Sequence, residues 1–283
     1  MKKNLFIILL LIFILPVVAF AEENYVNYYG VEFSEEDYST MLELGFSESE
    51  IYYMSVEEYN NNKDINATLE ATTTRYFVNV IRYDSTGRMI SDSEMEVDEE
   101  EYNSETISMY GNGLVETTYK KMTTTISATG SNYRYKVSLV WKIMPATRSY
   151  DIIGIGIDNA KVYISGGSMV FNQNYCISNS STNSSSYNSR SVTETGGGFS
   201  FKLPTSTSIT TLSSYMYFTV LKENSSTLTS MNAYGDYSHA TKSITAGSAQ
   251  GFYIGAGGVV LDSGIMSYYD SIDRAIATWS GSW

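Results

Sequence analysis

The sequence predicts a mainly β protein, an antiparallel β-sandwich with a small α-helical N-terminal appendage, and three observations carry that prediction. From Thr68 onward, short β-branched and aromatic runs recur between turn residues, with apolar and polar side chains alternating. Ser34 to Asn62 alone combines helix-start signals with apolar residues at helical spacing. The 283 residues hold one cysteine, Cys176, so burial and strand pairing must supply the stability that intrachain disulfides cannot.

The chain opens on a basic pair, Lys2 and Lys3, then an apolar run from Leu5 to Leu15, then Ala19-Phe20-Ala21. That is the anatomy of a secretory signal, and cleavage is expected after Ala21. The uncharged stretch from Asn4 to Ala21 is at the lower limit for a spanning helix and is interrupted by Pro16, so no stable membrane span is expected after cleavage. The expected organisation is a signal peptide over 1–21, a short helical unit over 22–66 and a β-sandwich domain over 67–283. The expected location is extracellular.

In the helical unit, Ser34 precedes Asp37, Ser47 precedes Glu50 and Ser55 precedes Glu58, each by three positions. A hydroxyl so placed can accept from a free N–H at a helix start while the carboxylate reaches back, a capping box. Gly45 stands where the first helix should stop. Tyr38, Met41, Leu42, Phe46, Ile51, Met54 and Tyr59 supply the apolar side, which needs a partner surface to be buried.

Thr72 to Tyr83 and Arg88 to Val97 read as a hairpin closed by Asp84-Ser85-Thr86-Gly87. In its second strand Asp92, Glu94, Glu96 and Asp98 share one face, expected to be wet, opposite Met95 and Val97. Val115 to Ala128 turns at Gly130-Ser131-Asn132 into the clearest strand. There Tyr133, Tyr135, Val137, Leu139, Trp141 and Ile143 face one way, and Arg134, Lys136, Ser138 and Lys142 the other. Asp151 to Ile157 and Lys161 to Ser165 read as buried strands. Ser178 to Ser191, mostly Ser and Asn, reads as a flexible loop. Strand patterns resume at Phe199 to Leu203, Ile209 to Lys222, His239 to Thr245 and Gly251 to Leu261. In the tail, Tyr268, Ile272, Ile276 and Trp279 fit a helix, whereas the Ser-Gly-Ser before Trp283 does not.

Charge separates along the chain: Glu22 to Glu105 carries 22 acidic and 4 basic residues, and the remainder is slightly basic. An acidic front half argues against nucleic acid, whose phosphates require a basic face. His239 is the single histidine, which removes metal motifs that need two. In Gly235-Asp236-Tyr237-Ser238-His239, adjacent strand residues point to opposite faces, so a Ser–His–Asp relay is not expected. Cys176 lacks the surroundings of an activated thiol and reads as structural. Leu261-Asp262-Ser263-Gly264 lacks the second copy an aspartic-protease dyad requires and reads as a turn. Asn62, Asp64 and Asn66 alternate like calcium ligands, but Ala67 replaces the needed Gly and Thr73 the terminal Glu. Gly154-Ile155-Gly156 and Gly255-Ala256-Gly257-Gly258 lack the phosphate-loop pattern and read as points of close approach. No cofactor or metal is expected.

Leu44-Gly45-Phe46-Ser47-Glu48-Ser49-Glu50-Ile51, continuing through Met54 to Glu57-Glu58-Tyr59, resembles a short N-terminal unit of exported proteins from low-GC Gram-positive bacteria. Trp141-Lys142-Ile143-Met144-Pro145 with Arg148-Ser149-Tyr150-Asp151 is similar to a motif in the same group. The resemblance implies a bacterial, extracellular protein from an uncharacterised family, and it transfers no functional residue.

These readings favour a secreted, non-catalytic surface or binding protein whose partner is a cell-wall polysaccharide or a surface protein. The 25 tyrosines suit such contacts. Trp279 and Trp283 are the chosen contact candidates; Tyr133, Tyr135 and Trp141 qualify only if their strand face is open. A β-pore-forming toxin is one alternative, resting on Thr205 to Ser214 and the Ser/Asn tract. An extracellular hydrolase acting through carboxylates alone is the other.

Overall fold

The computed structural model describes residues 24–104, 108–110, 114–159, 161–178, 180–223 and 227–283. The leader read at 1–21 lies outside the described residues. Strands β1 (Tyr25–Val26) and β2 (Glu32–Phe33) pair, and three short helices follow: α1 (Glu35–Glu43), α2 (Glu48–Tyr52) and α3 (Val56–Asn62). The chain then runs through β3 (Ala67–Tyr83), β4 (Met89–Val97), α4 (Glu99–Asn103), β5 (Ser108–Tyr110), β6 (Leu114–Thr129) and β7 (Asn132–Trp141). Next come β8 (Tyr150–Ile157), β9 (Val162–Ile164), β10 (Val170–Ile177), β11 (Ser180–Ser184), β12 (Ser189–Thr193) and β13 (Gly196–Lys202). The last strands are β14 (Ile209–Lys222), β15 (Ser230–Ser238), β16 (Phe252–Gly255), β17 (Gly258–Leu261) and β18 (Asp273–Ser280).

One antiparallel sheet runs in the order β11-β10-β14-β7-β6-β3-β4, with β5 also on β6 and β9 also on β14. The second runs β12-β13-β8-β15-β18. Their facing sides close a sandwich core. Tyr135, Val137, Leu139 and Trp141 from β7 meet Ile153 and Ile155 from β8, Phe199 and Phe201 from β13, and Trp279 from β18. Those β7 residues are the apolar face read from the alternation. Asp84 accepts from the Arg88 N–H and Gly87 takes a positive φ, closing the β3–β4 hairpin as expected.

The opposite face of β7 is covered as well. Arg134, Lys136 and Ser138 are buried, because the helical unit packs over them. Val31, Phe33, Met41, Leu44, Phe46, Ile51 and Met54 pack with Tyr215 and Tyr217 of β14 beneath the helices. All three serines cap their helices, and Ser34 and Ser47 complete capping boxes with Asp37 and Glu50. Glu58 instead turns inward to Tyr215 and Asn172. Gly45 ends α1 at φ +82°, and a Cβ there would lie 2.3 Å from Thr125 Oγ1. Glycine is therefore required twice over, by the turn and by the close approach of helix to sheet.

Two segments differ from their sequence reading, and the tail, ambiguous in the sequence, resolves as a strand. Ser178 to Ser191 is not a loop throughout: β11 pairs with β10 and β12 with β13. Backbone pairing along a sheet edge needs no apolar side chains, so the composition concealed it. His239 to Thr245 is not a strand; the strand is β15, which stops at Ser238. Its core face, Met231, Ala233, Gly235 and Tyr237, includes two of the smallest residues, which blurs the alternation. The tail forms β18, with Asp273, Ala275, Ala277 and Trp279 inward and Ile276 outward. The helical spacing of Ile272, Ile276 and Trp279 was coincidental, because a short apolar set can satisfy either period.

Candidate functional site

Two places gather functional groups, one buried and one open. The buried one begins with Lys120 on β6, whose side chain is fully enclosed between the sheets. Its Nζ lies 2.7 Å from Glu94 Oε2 on β4, 2.6 Å from Asp273 Oδ2 on β18 and 3.9 Å from Asp270 Oδ2. The rings of Phe77, Tyr119, Trp141 and Tyr237 surround the ammonium at 5.3–5.8 Å and separate it from water. The predicted wet stripe on β4 is thus divided in role. Glu94 points at Lys120, while Glu96 stays exposed and pairs with Arg75, and Met95 on the other face is exposed as well.

Burial pushes the Glu94 carboxyl up to about 7, with Lys120 pulling down and Asp273 pushing up. Asp270 rises to about 7 for the same reasons. Burial alone would lower the Lys120 ammonium, but Asp273, Glu94 and Asp270 outweigh it and raise it. The three carboxylates are close enough together to ligate a cation. The lysine already supplies that positive charge at their centre.

His239 stands beside this cluster. Its Nδ1 lies 2.9 Å from Asp151 Oδ2, and Asp151 also accepts from the Tyr237 hydroxyl and the Ala240 N–H. The His239 backbone N–H donates to Asp270 Oδ1 at 2.8 Å. Asp236 does not join the histidine; it takes two bonds from Arg274 and one from the Val259 N–H. Ser238 ends β15 with its Oγ buried and without a hydrogen bond to any described group, apart from the His239–Asp151 pair. Asp262-Ser263-Gly264 is a turn directly after β17, with Ile265 N–H donating to Asp262 O. The two glycine motifs meet each other: a Cβ on Gly156 would lie 2.3 Å from Gly258 N, so they allow β17 to approach β8.

The open place is a groove of roughly 470 Å³ where the sandwich edges join through the β11–β12 connection. Tyr150, Tyr175 and Tyr187 line it with Gln173, Asn188 and Lys202. Tyr187 is half exposed and leans on Phe199, with ring centroids 4.9 Å apart. Lys202 Nζ stands 5.9 Å from the Tyr150 ring. Asn188 donates through Nδ2 to Ala246 O at 2.8 Å, which holds the connection in place. This site was missed in the sequence because Tyr187 sits within the Ser/Asn tract.

The tryptophans chosen from the sequence lie elsewhere. Trp279 is 5 % exposed, faces the core, and donates through Nε1 to Glu70 at 3.2 Å. Trp283 is half-buried against Tyr133 and donates to Ser131 O. Both were selected for lying near a terminus, but β18 carries them back onto the sandwich. Tyr133, Tyr135 and Trp141 are buried, so their strand face is closed.

No protein-family model and no curated protein matches this chain. Among solved structures it is similar to the collagen binding domain of Erysipelothrix rhusiopathiae surface protein RspB. The TM-score is 0.27 at 10% identity, covering 59% of this chain and 63% of that one. It is also similar to a structure described as complete manganese lipoxygenase of Gaeumannomyces graminis and partial zonadhesin of Komagataella pastoris. There the TM-score is 0.28 at 7% identity, covering 76% and 89% of the two chains. Likeness this slight carries no argument about function. Among the described residues, no helix is long and apolar enough to cross a membrane.

Proposed function

We propose that this chain is an exported, non-catalytic surface protein that binds a neutral polysaccharide, such as a cell-wall polymer, in the groove at the sandwich edge. The observation that supports this reading is the groove's lining: three tyrosines with two amide side chains and one lysine around an open cleft. Tyrosine faces stack on the C–H faces of sugar rings at low entropic cost, and amides match sugar hydroxyls as donor and acceptor. The buried acids favour binding over hydrolysis, since Glu94, Asp270 and Asp273 converge on Lys120 rather than on a cleft.

The test is co-sedimentation of the purified protein with insoluble cell-wall sacculi, with liposomes as a parallel target. Retention on sacculi that falls at least ~10-fold in Tyr175→Ala/Tyr187→Ala, each stacked ring contributing about 1 kcal/mol, supports the groove. Retention by the double variant equal to wild type removes the groove from the proposal. Capture by liposomes instead favours the pore-forming alternative.

A further inference from the structure

We propose that Lys120 and Asp273 become joined by an intramolecular amide bond, a covalent staple between the two sheets, and that Glu94 catalyses its formation. Three features of the geometry point there. The amine and the carboxyl are already in contact, with Nζ 2.6 Å from Asp273 Oδ2. They come from opposite layers, β6 and β18, and both side chains are almost wholly enclosed. Yet neither Lys120 Nζ nor Asp273 Oδ2 forms a hydrogen bond of acceptable angle with any described group. A buried ion pair is stable when its geometry is good and its remaining donors are satisfied. This ion pair has the proximity of reactants without the alignment of a hydrogen bond.

The buried pairs elsewhere in the molecule provide the contrast. Lys136 is as deeply enclosed, but its Nζ donates to Glu50 Oε2 at 2.8 Å and to Gly45 O at 3.0 Å. Arg274 grips Asp236 through two bonds of 2.7 Å. Both are complete as ion pairs and need no further chemistry. Lys120 differs again in its walls, where four aromatic rings exclude water. Excluding water matters because it opposes hydrolysis of the product.

The step balances without any external reagent. In the dry pocket the Lys120 ammonium gives a proton to the Asp273 carboxylate, leaving a free amine and a carboxylic acid. The Nζ lone pair attacks Asp273 Cγ, and the carbonyl π electrons move onto oxygen. The Glu94 carboxylate, 2.7 Å from Nζ, takes a proton from the new N–C centre. It then returns that proton to the departing hydroxyl, the C–O bond breaks, water leaves and the carbonyl re-forms. An ammonium and a carboxylate become one amide and one water, and Glu94 ends as it began. A carboxyl that both takes and gives a proton works best when held near neutrality, as burial holds this one.

Intact-mass measurement of the denatured wild-type protein is the test, followed by sequencing of its proteolytic peptides. The expected protein is lighter than its sequence by one water, and one branched peptide joins the Lys120 segment to the Asp273 segment. Lys120→Arg and Asp273→Ala should each carry the full sequence mass. Glu94→Gln keeps both reacting groups and should form the link about 100-fold more slowly or worse. A folded wild type with the full sequence mass overturns the proposal, and that measurement depends on no variant folding. A branched peptide that joins Lys120 to Glu94 or Asp270 overturns the assignment equally.

Discussion

At Asp270 the enclosure has a consequence for pH. Asp270 and Glu94 are each held up to about 7 by burial, against roughly 4 for such groups in an unfolded chain. A group raised in this way stabilises the fold fully below its unfolded value and loses that contribution as pH rises through its folded value. His239 has the same sign: burial would lower it, but Asp151 outweighs burial and raises it. The melting temperature should therefore be higher near about pH 5 than near about pH 8. Asp270→Asn keeps an acceptor for the His239 N–H and removes one of the titrating acids, so it should flatten that decline. Thermal unfolding followed across this range checks it, and a wild-type stability that climbs from acid to alkaline pH would contradict the argument.

Among the elements, the helical unit is joined to the sheet by buried polar contacts as well as by its apolar side. Glu50 serves two purposes. It closes the capping box of α2 and accepts from Lys136 and Ser138 beneath it. Arg134 reaches Asn62 Oδ1 at 2.6 Å while its guanidinium lies over the Tyr217 ring. Removing one charge of such a pair leaves the other enclosed and unpaired. Lys136→Met should thus cost about 3–5 kcal/mol, and Lys136→Met/Glu50→Gln should recover much of it. Denaturant midpoints would measure the loss, and faster protease cleavage before Ala67 in the single variant would place it at the docked helices. Additivity of the two substitutions would show that the pair does not couple. Tyr28 and Tyr29 extend the same docking outward, since the Ser181 N–H donates to the Tyr28 hydroxyl at the β11 edge. An edge strand covered in this way is less open to pairing with other chains.

For the whole molecule, the lone buried cysteine leaves no intrachain disulfide to restrain the unfolded state. A Lys120–Asp273 amide would supply that restraint across most of the sandwich. It would close a loop of roughly 150 residues, which by the chain-entropy argument used for disulfides stabilises by about 5 kcal/mol. For a chain of this size that corresponds to roughly 10–20 °C in melting temperature. Lys120→Arg should lose about that much while keeping a cation among the carboxylates. Scanning calorimetry of the two proteins at one pH measures the difference, and equal melting temperatures would leave the staple no energetic role.

Local signals sufficed for much of this molecule. Helix starts at Ser34, Ser47 and Ser55, the turns at Gly87 and Gly130, and the inward face of β7 are set by neighbours a few residues apart, so they are legible in the chain itself. Sheet-forming alternation beyond Thr68 likewise determined the antiparallel sandwich. Alternation shows which residues share a face but not what covers that face. The pattern did not show that Arg134 and Lys136 are covered, because the helices that bury them are distant in sequence. The Ser/Asn tract hid two strands, because edge pairing is made by backbone, and it hid Tyr187 in the connection between them. Glu94, Lys120, Asp270 and Asp273 come from separate parts of the chain, and no spacing links them. Their meeting was decided by the packing of one sheet on the other, which brings together groups whose burial, charge and proximity no local pattern encodes.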